Sequence, residues 1–322
     1  MIEIKRYNSK DKKLWNSFVR DSNNGTFMFD RGFMEYHKHK FEDYSLLCFK
    51  NNSLVGLLPA NIVENFIHSH QGLSYGGLIV SKKIKISDYF ELFKELLIFV
   101  QKQGIERVYL KVIPKIYHKV FSEEVTLAMQ LLKATRTRID SYFVIETREG
   151  YKPNRNRKRA LKIAKEKNLQ FREGGNLDYF WGEILEKNLK TRFGVDPTHS
   201  LSEIKFLMKL FPNQIKFYGA YNNEVLKAGV IVFLCDFVTH FQYSSGNDDR
   251  SDDAALDFLF DAIIKKYKEK KYVSFGSSSE NNGLNINRGL SYWKESLDAK
   301  LQIQEYYTIE TNNNFLLNEI YK

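Results

Sequence analysis

The chain has 322 residues, 43% of them hydrophobic and 15% aromatic, with a formal net charge of +10. That length suits two domains of ordinary size, and that much apolar material excludes a disordered chain. No run of eighteen apolar residues occurs and Met1–Tyr7 carries no apolar signal core, so a membrane span is excluded and a cytoplasmic protein is expected.

In chain order, Ile2–Tyr7 reads as a strand and Lys10–Asp21 as a helix with Leu14, Phe18 and Val19 on one face. Tyr44–Lys50 and Leu54–Val63 read as strands around an Asn51-Asn52 turn. Leu78–Val80 is a short strand, Ser87–Gln103 an amphipathic helix ended by Gly104, and Arg107–Ile113 a strand. Asp140–Thr147 is a strand, after which Pro153 and Asn154 open the basic helix Arg155–Lys167. Ile215–Tyr221 and Val225–Asp236 form a second hairpin around Asn222-Asn223, followed by strand Phe237–Ser245. Helix Asp252–Lys270, capped by Ser251 or Asp252, and strand Tyr272–Gly276 complete the order.

Hairpin, strand, helix and strand thus occur twice at similar spacing, the signature of a duplicated folding unit. The expected class is α/β with mixed sheets, in two tandem domains, 1–147 and 148–322, with a cleft between them that holds the active site. Cys48 and Cys235 lie in apolar strand-like runs and read as buried, reduced thiols. The surplus positive charge suits phosphates, nucleotides, nucleic acid or anionic lipid, or serves solubility alone.

That layout resembles the GNAT acyltransferase superfamily, and two copies in tandem resemble the Fem-type aminoacyltransferases. The basic helix Arg155–Lys167, the hairpin Phe217–Phe233, and Phe275-Gly-Ser-Ser-Ser-Glu280 followed by Asn287-Arg-Gly-Leu-Ser-Tyr-Trp-Lys-Glu295 carry the likeness. The chain departs from the Fem pattern at Trp293, where phenylalanine is usual, and at Ser296-Leu297-Asp298, where Phe-Gly is usual. His68-Ser-His-Gln-Gly-Leu-Ser-Tyr-Gly-Gly77 and Pro197-Thr-His199-Ser200 look similar to a bacterial group that acylates nucleotide-linked amino deoxysugars for surface polysaccharide.

The resemblance implies direct amide formation from an acyl thioester, carried by coenzyme A or an acyl carrier protein, with the carbonyl bonded to backbone N–H groups of Phe241–Ser245. The acceptor it implies is a dTDP- or UDP-linked amino sugar; nucleic acid is not expected as a partner. It also assigns the donor's pyrophosphate to the loop Ser244–Asp253. Four aspartates there favour a helix start and oppose a pyrophosphate. Aminoacyl transfer from tRNA, and a catalytically idle binding module, are the rival readings.

Glu280, Lys294 and His199 are the candidate catalytic residues. Glu280 follows a strand end, though loop glutamates are mostly just solvated. Asn287, Ser291 and Lys294 share a helix face beside an apolar stripe of Ile286, Leu290, Trp293 and Leu297 expected in the core. Lys294 then emerges at the rim of that stripe, either to stabilise an anion or to snorkel. His240 and Gln242 alternate onto one strand face, where a satisfied core histidine is the commoner outcome. His37, Gln71, Tyr75 and Gly76 in the first half, and Gln242, Tyr243, Ser279 and Asn287 in the second, are the candidate substrate contacts. Arg31 and Tyr36 accompany His37. Arg155, Arg157, Lys158, Arg159 and Lys162 either meet phosphates or form a solvated face. No metal is expected, because no carboxylate or cysteine cluster joins His68 and His70.

Overall fold

The computed structural model describes residues 1–247, 253–318, 320 and 321. It divides into two compact units, Met1–Asp140 with Ile303–Lys322, and Ser141–Gln302. The sequence put the boundary after residue 147 and gave the whole remainder to the second domain. The segment from Ile303 lies instead with the first unit, because Tyr307, Ile309 and Leu317 are buried in that unit's core.

The first unit opens with β1 (Ile2–Arg6) and α1 (Lys12–Asp21). α1 buries Trp15 and Val19, while Leu14 is 44% exposed. The indole takes the core position expected of Leu14 and donates its Nε1–H to the Phe29 carbonyl at 2.8 Å. The short helix α2 (Arg31–Met34) and strand β2 (Glu42–Asp43) follow. β3 (Leu46–Lys50) and β4 (Ser53–Leu58) form the expected hairpin. Asn51 and Asn52 both have positive φ, the conformation that a two-residue hairpin turn demands.

The long strand expected over Leu54–Val63 is two strands. Pro59 has no N–H to give a ladder, and beyond it β5 (Asn61–Val63) pairs with β6 (Phe66–His68). β7 (Ile79–Val80), α3 (Ile86–Gln101), β8 (Arg107–Lys111), α4 (Glu124–Leu131) and β9 (Thr135–Glu146) come next. β1, β3, β4 and β7 form one antiparallel sheet. β2, β5, β6 and β8 lie side by side, with β6 parallel to β8. α3 supplies Phe90, Leu92, Phe93, Leu96, Leu97 and Val100 to the core.

In the second unit Asn154 caps α5 (Arg155–Glu166), its side chain accepting from the Arg157 N–H. β10 (Gln170–Glu173) leads to α6 (Leu177–Tyr179), a π-helical stretch Phe180–Glu186 and α7 (Lys187–Phe193). α8 (Leu201–Leu210) starts in a capping box of Ser200 and Glu203. β11 (Ile215–Asn222) and β12 (Val225–Leu234) turn at Asn223-Glu224, one residue later than expected, with positive φ at both. β13 (Val238–Gly246), α9 (Ala255–Lys266), β14 (Tyr272–Ser277), β15 (Ser279–Glu280), β16 (Asn285–Ile286), α10 (Arg288–Ser296) and β17 (Lys300–Glu310) complete the order. The caps expected at Ser251 and Asp252 lie outside the described residues.

The strands of this unit run β10-β11-β12-β13-β14-β9, with β13 and β14 parallel. The order hairpin, strand, helix, strand therefore occurs in both units: β3, β4, β7, α3, β8 and β11, β12, β13, α9, β14. β17 carries the chain back to the first unit, where Tyr306 lies opposite Lys111 and Tyr307 opposite Leu110 on β8. Among the described residues no helix is long and apolar enough to cross a membrane.

Candidate active site

In the second unit the parallel strands β13 and β14 pair only from Val238–His240 to Tyr272–Ser274. Beyond that point β13 pairs with β12, and β14 with β9. A bulge where β12 passes from Ile231 to Val232 leaves Gln242 with no opposite residue. Bulges of this kind re-aim side chains, and here Gln242 reaches both His240 and Tyr243. The Tyr243 hydroxyl lies 2.6 Å from His199 Nδ1, and His240 Nδ1 lies 3.1 Å from Ser274 Oγ. Two polar pairs, His199–Tyr243 and His240–Ser274, thus lie along the strand ends with Gln242 between them. Burial raises the Tyr243 hydroxyl above its ordinary range.

Lys294 on α10 sits at this same point. The rim position expected for it is not what the fold adopts: the residue is 2% exposed. Its Nζ donates to the Gly276 carbonyl at 3.0 Å and the Ser277 carbonyl at 2.7 Å, where β14 ends. The expected apolar stripe is likewise turned outward at one end, with Ile286 55% and Leu290 38% exposed, because Trp293, Lys294 and Leu297 are the residues that α10 packs inward. Burial pushes the Lys294 amine down to about 7. Burial first, and the Lys294 charge second, push His240 down to about 4, so its ring is neutral at neutral pH.

Glu280, Ser279 and Asn287 form a separate group on the β15–β16 hairpin and the start of α10. Glu280 is exposed and accepts from Asn287 Nδ2 at 2.7 Å. Asn287 caps α10 through the Leu290 N–H. Ser279 Oγ accepts from the Ser141 backbone N–H at 2.8 Å. Asn287 and Ser279 are thereby engaged in holding the hairpin and helix.

The first-half candidates separate. Tyr75 is 2% exposed, donates to Thr26 Oγ1 at 3.1 Å and packs on Phe29 and Tyr117, which makes it core. Gly76 is a close-approach residue: a Cβ there would lie 1.7 Å from the Ser69 carbonyl oxygen. His37 is buried against Phe41 and His70 and lines a cavity of about 640 Å³ with Arg31 and Asp43. Arg31 is ion-paired there with Glu35 and Asp43, so its charge is balanced.

Gln71 lines a second cavity of about 420 Å³, together with His68, Tyr109, Lys111 and Tyr306. Sequence reasoning passed over Tyr109, Lys111 and Tyr306. Alternation was the available signal, because Arg107-Val-Tyr-Leu-Lys111 puts Tyr109 and Lys111 opposite the core face. It also passed over Trp181 in the π-helical stretch, fully buried and packed edge-on to Tyr243.

No protein-family model matches the sequence, and no curated protein matches it. Solved structures match over nearly the whole chain. FemX aligns with 98% of this chain and 99% of its own at TM-score 0.66 and 10% identity. The C-terminal domain (DUF2156) of a putative lysylphosphatidylglycerol synthetase from Agrobacterium fabrum aligns with 97% of this chain and 95% of its own, at TM-score 0.61 and 9% identity. A tandem GNAT protein from the clavulanic acid biosynthesis pathway aligns with 97% of this chain and 99% of its own, at TM-score 0.53 and 10% identity.

The chain has the tandem GNAT fold. Identities this low make the likeness one of architecture, and site chemistry has to be argued from this chain's own residues.

In this chain, residues 248–252 of the loop expected to hold a donor pyrophosphate lie outside the described residues. Asp253, which follows them, is 5% exposed, and its carboxylate accepts from the Ala255 N–H at 3.1 Å as α9 begins. An anion already occupies the first donor of that helix end, so the described part of the loop does not fit a pyrophosphate.

Proposed function

We propose that this chain is an N-acyltransferase that moves an acyl group from a thioester to the amino group of a dTDP- or UDP-linked amino deoxysugar, without an acyl-enzyme. The observation that carries the reading is the Lys294 geometry. A neutral lysine amine has two N–H bonds and one lone pair. Both N–H bonds are spent on the Gly276 and Ser277 carbonyls, which leaves the lone pair to accept a proton. A value near 7 makes the neutral form abundant at neutral pH.

In the proposed step the acceptor amine attacks the thioester carbonyl; the C–N bond forms and the C–S bond breaks. Lys294 takes the proton lost from nitrogen and its ammonium then returns a proton to the departing sulfur, which leaves as a thiol. N–H groups of Phe241–Ser245, on the strand edge that β14 no longer covers, stabilise the carbonyl oxygen. His199, through Tyr243 and Gln242, positions the strand end, and Glu280 orients the acceptor. The anionic start of α9 favours a donor borne on a carrier protein over free acyl-coenzyme A.

The test is incubation with dTDP- and UDP-linked amino sugars and with acyl-coenzyme A or acyl-carrier thioesters, followed by thiol release and product mass. A mass gain that needs the sugar's amino group supports the proposal. No product across the panel overturns it. Transfer of an aminoacyl group from tRNA is a second reading. One observation favours it: Arg155, Lys158, Arg159, Lys162 and Lys165 all lie exposed on α5.

A further inference from the structure

β6, β8 and β17 of the first unit have two unlike faces. Ile67, Val108, Leu110, Tyr307 and Ile309 point into the core. The register puts His68, Tyr109, Lys111 and Tyr306 on the opposite face, since His68 lies opposite Tyr109 and Lys111 opposite Tyr306. These four side chains line the cavity of about 420 Å³, with Gln71 from the following loop also on its wall. His68 and Tyr109 are stacked, with centroids 4.7 Å apart and planes 19° apart. Lys111 Nζ stands 5.9 Å from the Tyr306 ring centroid.

The face is costly as mere structure. A half-buried sheet face is ordinarily filled with β-branched and aliphatic side chains. This one instead holds a lysine sunk among rings. Of the three donors its ammonium carries, one meets an acceptor among the described residues, the Leu73 carbonyl at 2.8 Å. Asp140, the nearby carboxylate, is taken up by Arg138 and the Tyr306 hydroxyl. Aromatic faces bind flat heterocycles of any sequence, and a recessed cation with spare donors binds phosphate.

We infer that this cavity is a mononucleotide site. A base lies along the His68–Tyr109 stack, a phosphate oxygen meets Lys111, and the Gln71 carboxamide lies at the base edge. The inference rests on the proposed nucleotide-linked acceptor and names the part of the protein that holds its nucleotide. An open recess of about 420 Å³ with one recessed cation favours one nucleotide over a strand of RNA. Burial, and then the Arg138 charge, bring the Lys111 amine down to about 8, so it is still cationic at pH 7.

The test is calorimetric titration of the full chain with UDP, dTDP, uridine and thymidine, which needs no turnover. UDP or dTDP should bind at least tenfold more tightly than its nucleoside. Lys111→Met should weaken the diphosphate at least tenfold and leave the nucleoside nearly unchanged, and Lys111→Arg should restore much of the loss. Tyr109→Leu should weaken both ligands alike. Melting curves identify any variant that fails to fold, and the arginine variant keeps the test decisive if the methionine one does.

No binding of either diphosphate, or equal affinity in the Lys111→Met variant, overturns the inference. So does Lys111-dependent binding of tRNA with none of the mononucleotides. Nucleotide binding that depends on Lys111, with no acylation of any nucleotide-linked amine, supports the site and removes the acyltransferase reading. Acyl transfer to a nucleotide sugar with KM unchanged by Lys111→Met does the reverse.

Discussion

At the scale of single residues, Lys294 makes the sharpest predictions. Lys294→Met keeps the stem and removes the base, so kcat should fall by about 10²- to 10⁴-fold in a chain that still folds. In the wild type, kcat should rise with pH through about 7 as the amine loses its proton. Stability has its own signature. The folded value lies below the ordinary lysine value of 10.5, so between the two the folded chain binds fewer protons than the unfolded one. The burden of a buried charge is present in full below about pH 7 and fades as pH climbs toward the unfolded value. Wild-type protein should therefore gain melting temperature relative to Lys294→Met between pH 7 and pH 10, and a flat difference would refute the buried-base picture. Tyr243→Phe removes the contact to His199 and should cost about 1 kcal/mol in denaturant titrations. Lys294, Gln242, Tyr243 and His199 were legible as candidates, but not their arrangement. A lysine one step from an apolar stripe reads as a rim residue, and only the carbonyls left at the end of β14 explain its burial. Tyr75 misled for the opposite reason: a tyrosine beside two glycines resembles a binding loop, while its hydroxyl is satisfied in the core by Thr26.

At the scale of elements, local chemistry was the most readable. The Asn51-Asn52 turn and the stop of α3 before Gly104 follow from residues whose backbone preferences admit few alternatives. Ser200→Ala removes both a cap and half of a capping box and should destabilise the second unit by about 1 kcal/mol. Gly76→Ala should do far more harm. Its Cβ would run into backbone, which cannot swing aside as a side chain can, so loss of the folded first unit by circular dichroism is the expected result. The break between β4 and β5 went unread because Leu54–Val63 is nearly all apolar, and only Pro59 marks it. The bulge at Gln242 was also hidden, since it depends on pairing with β12 and leaves no mark in β13 alone. The π-helical stretch has the composition of an ordinary amphipathic helix and gave no warning.

At the scale of the whole molecule, the repeated order of elements was legible and the closure of the first unit was not. Periodicity reports that a segment is a strand and says nothing of its partner. Lys300–Glu310 falls in the span expected to belong to the second domain, yet from Ile303 onward it completes the first unit, pairing with β8 and burying Tyr307 and Ile309. A chain ended after Gln302 should lose hydrogen-exchange protection in β8 and α3 while β11–β13 keep theirs; equal loss in both units would argue against this division. The same connectivity sets an order of events on the ribosome. Residues 1–140 emerge first but cannot finish their core until residues 303–322 have followed the entire second unit out of the exit tunnel. At about 5–20 residues per second, that delay is on the order of ten seconds or more. The usual rule that the amino-terminal domain folds first does not hold for this connectivity: the first-made unit cannot be completed until the second has been made.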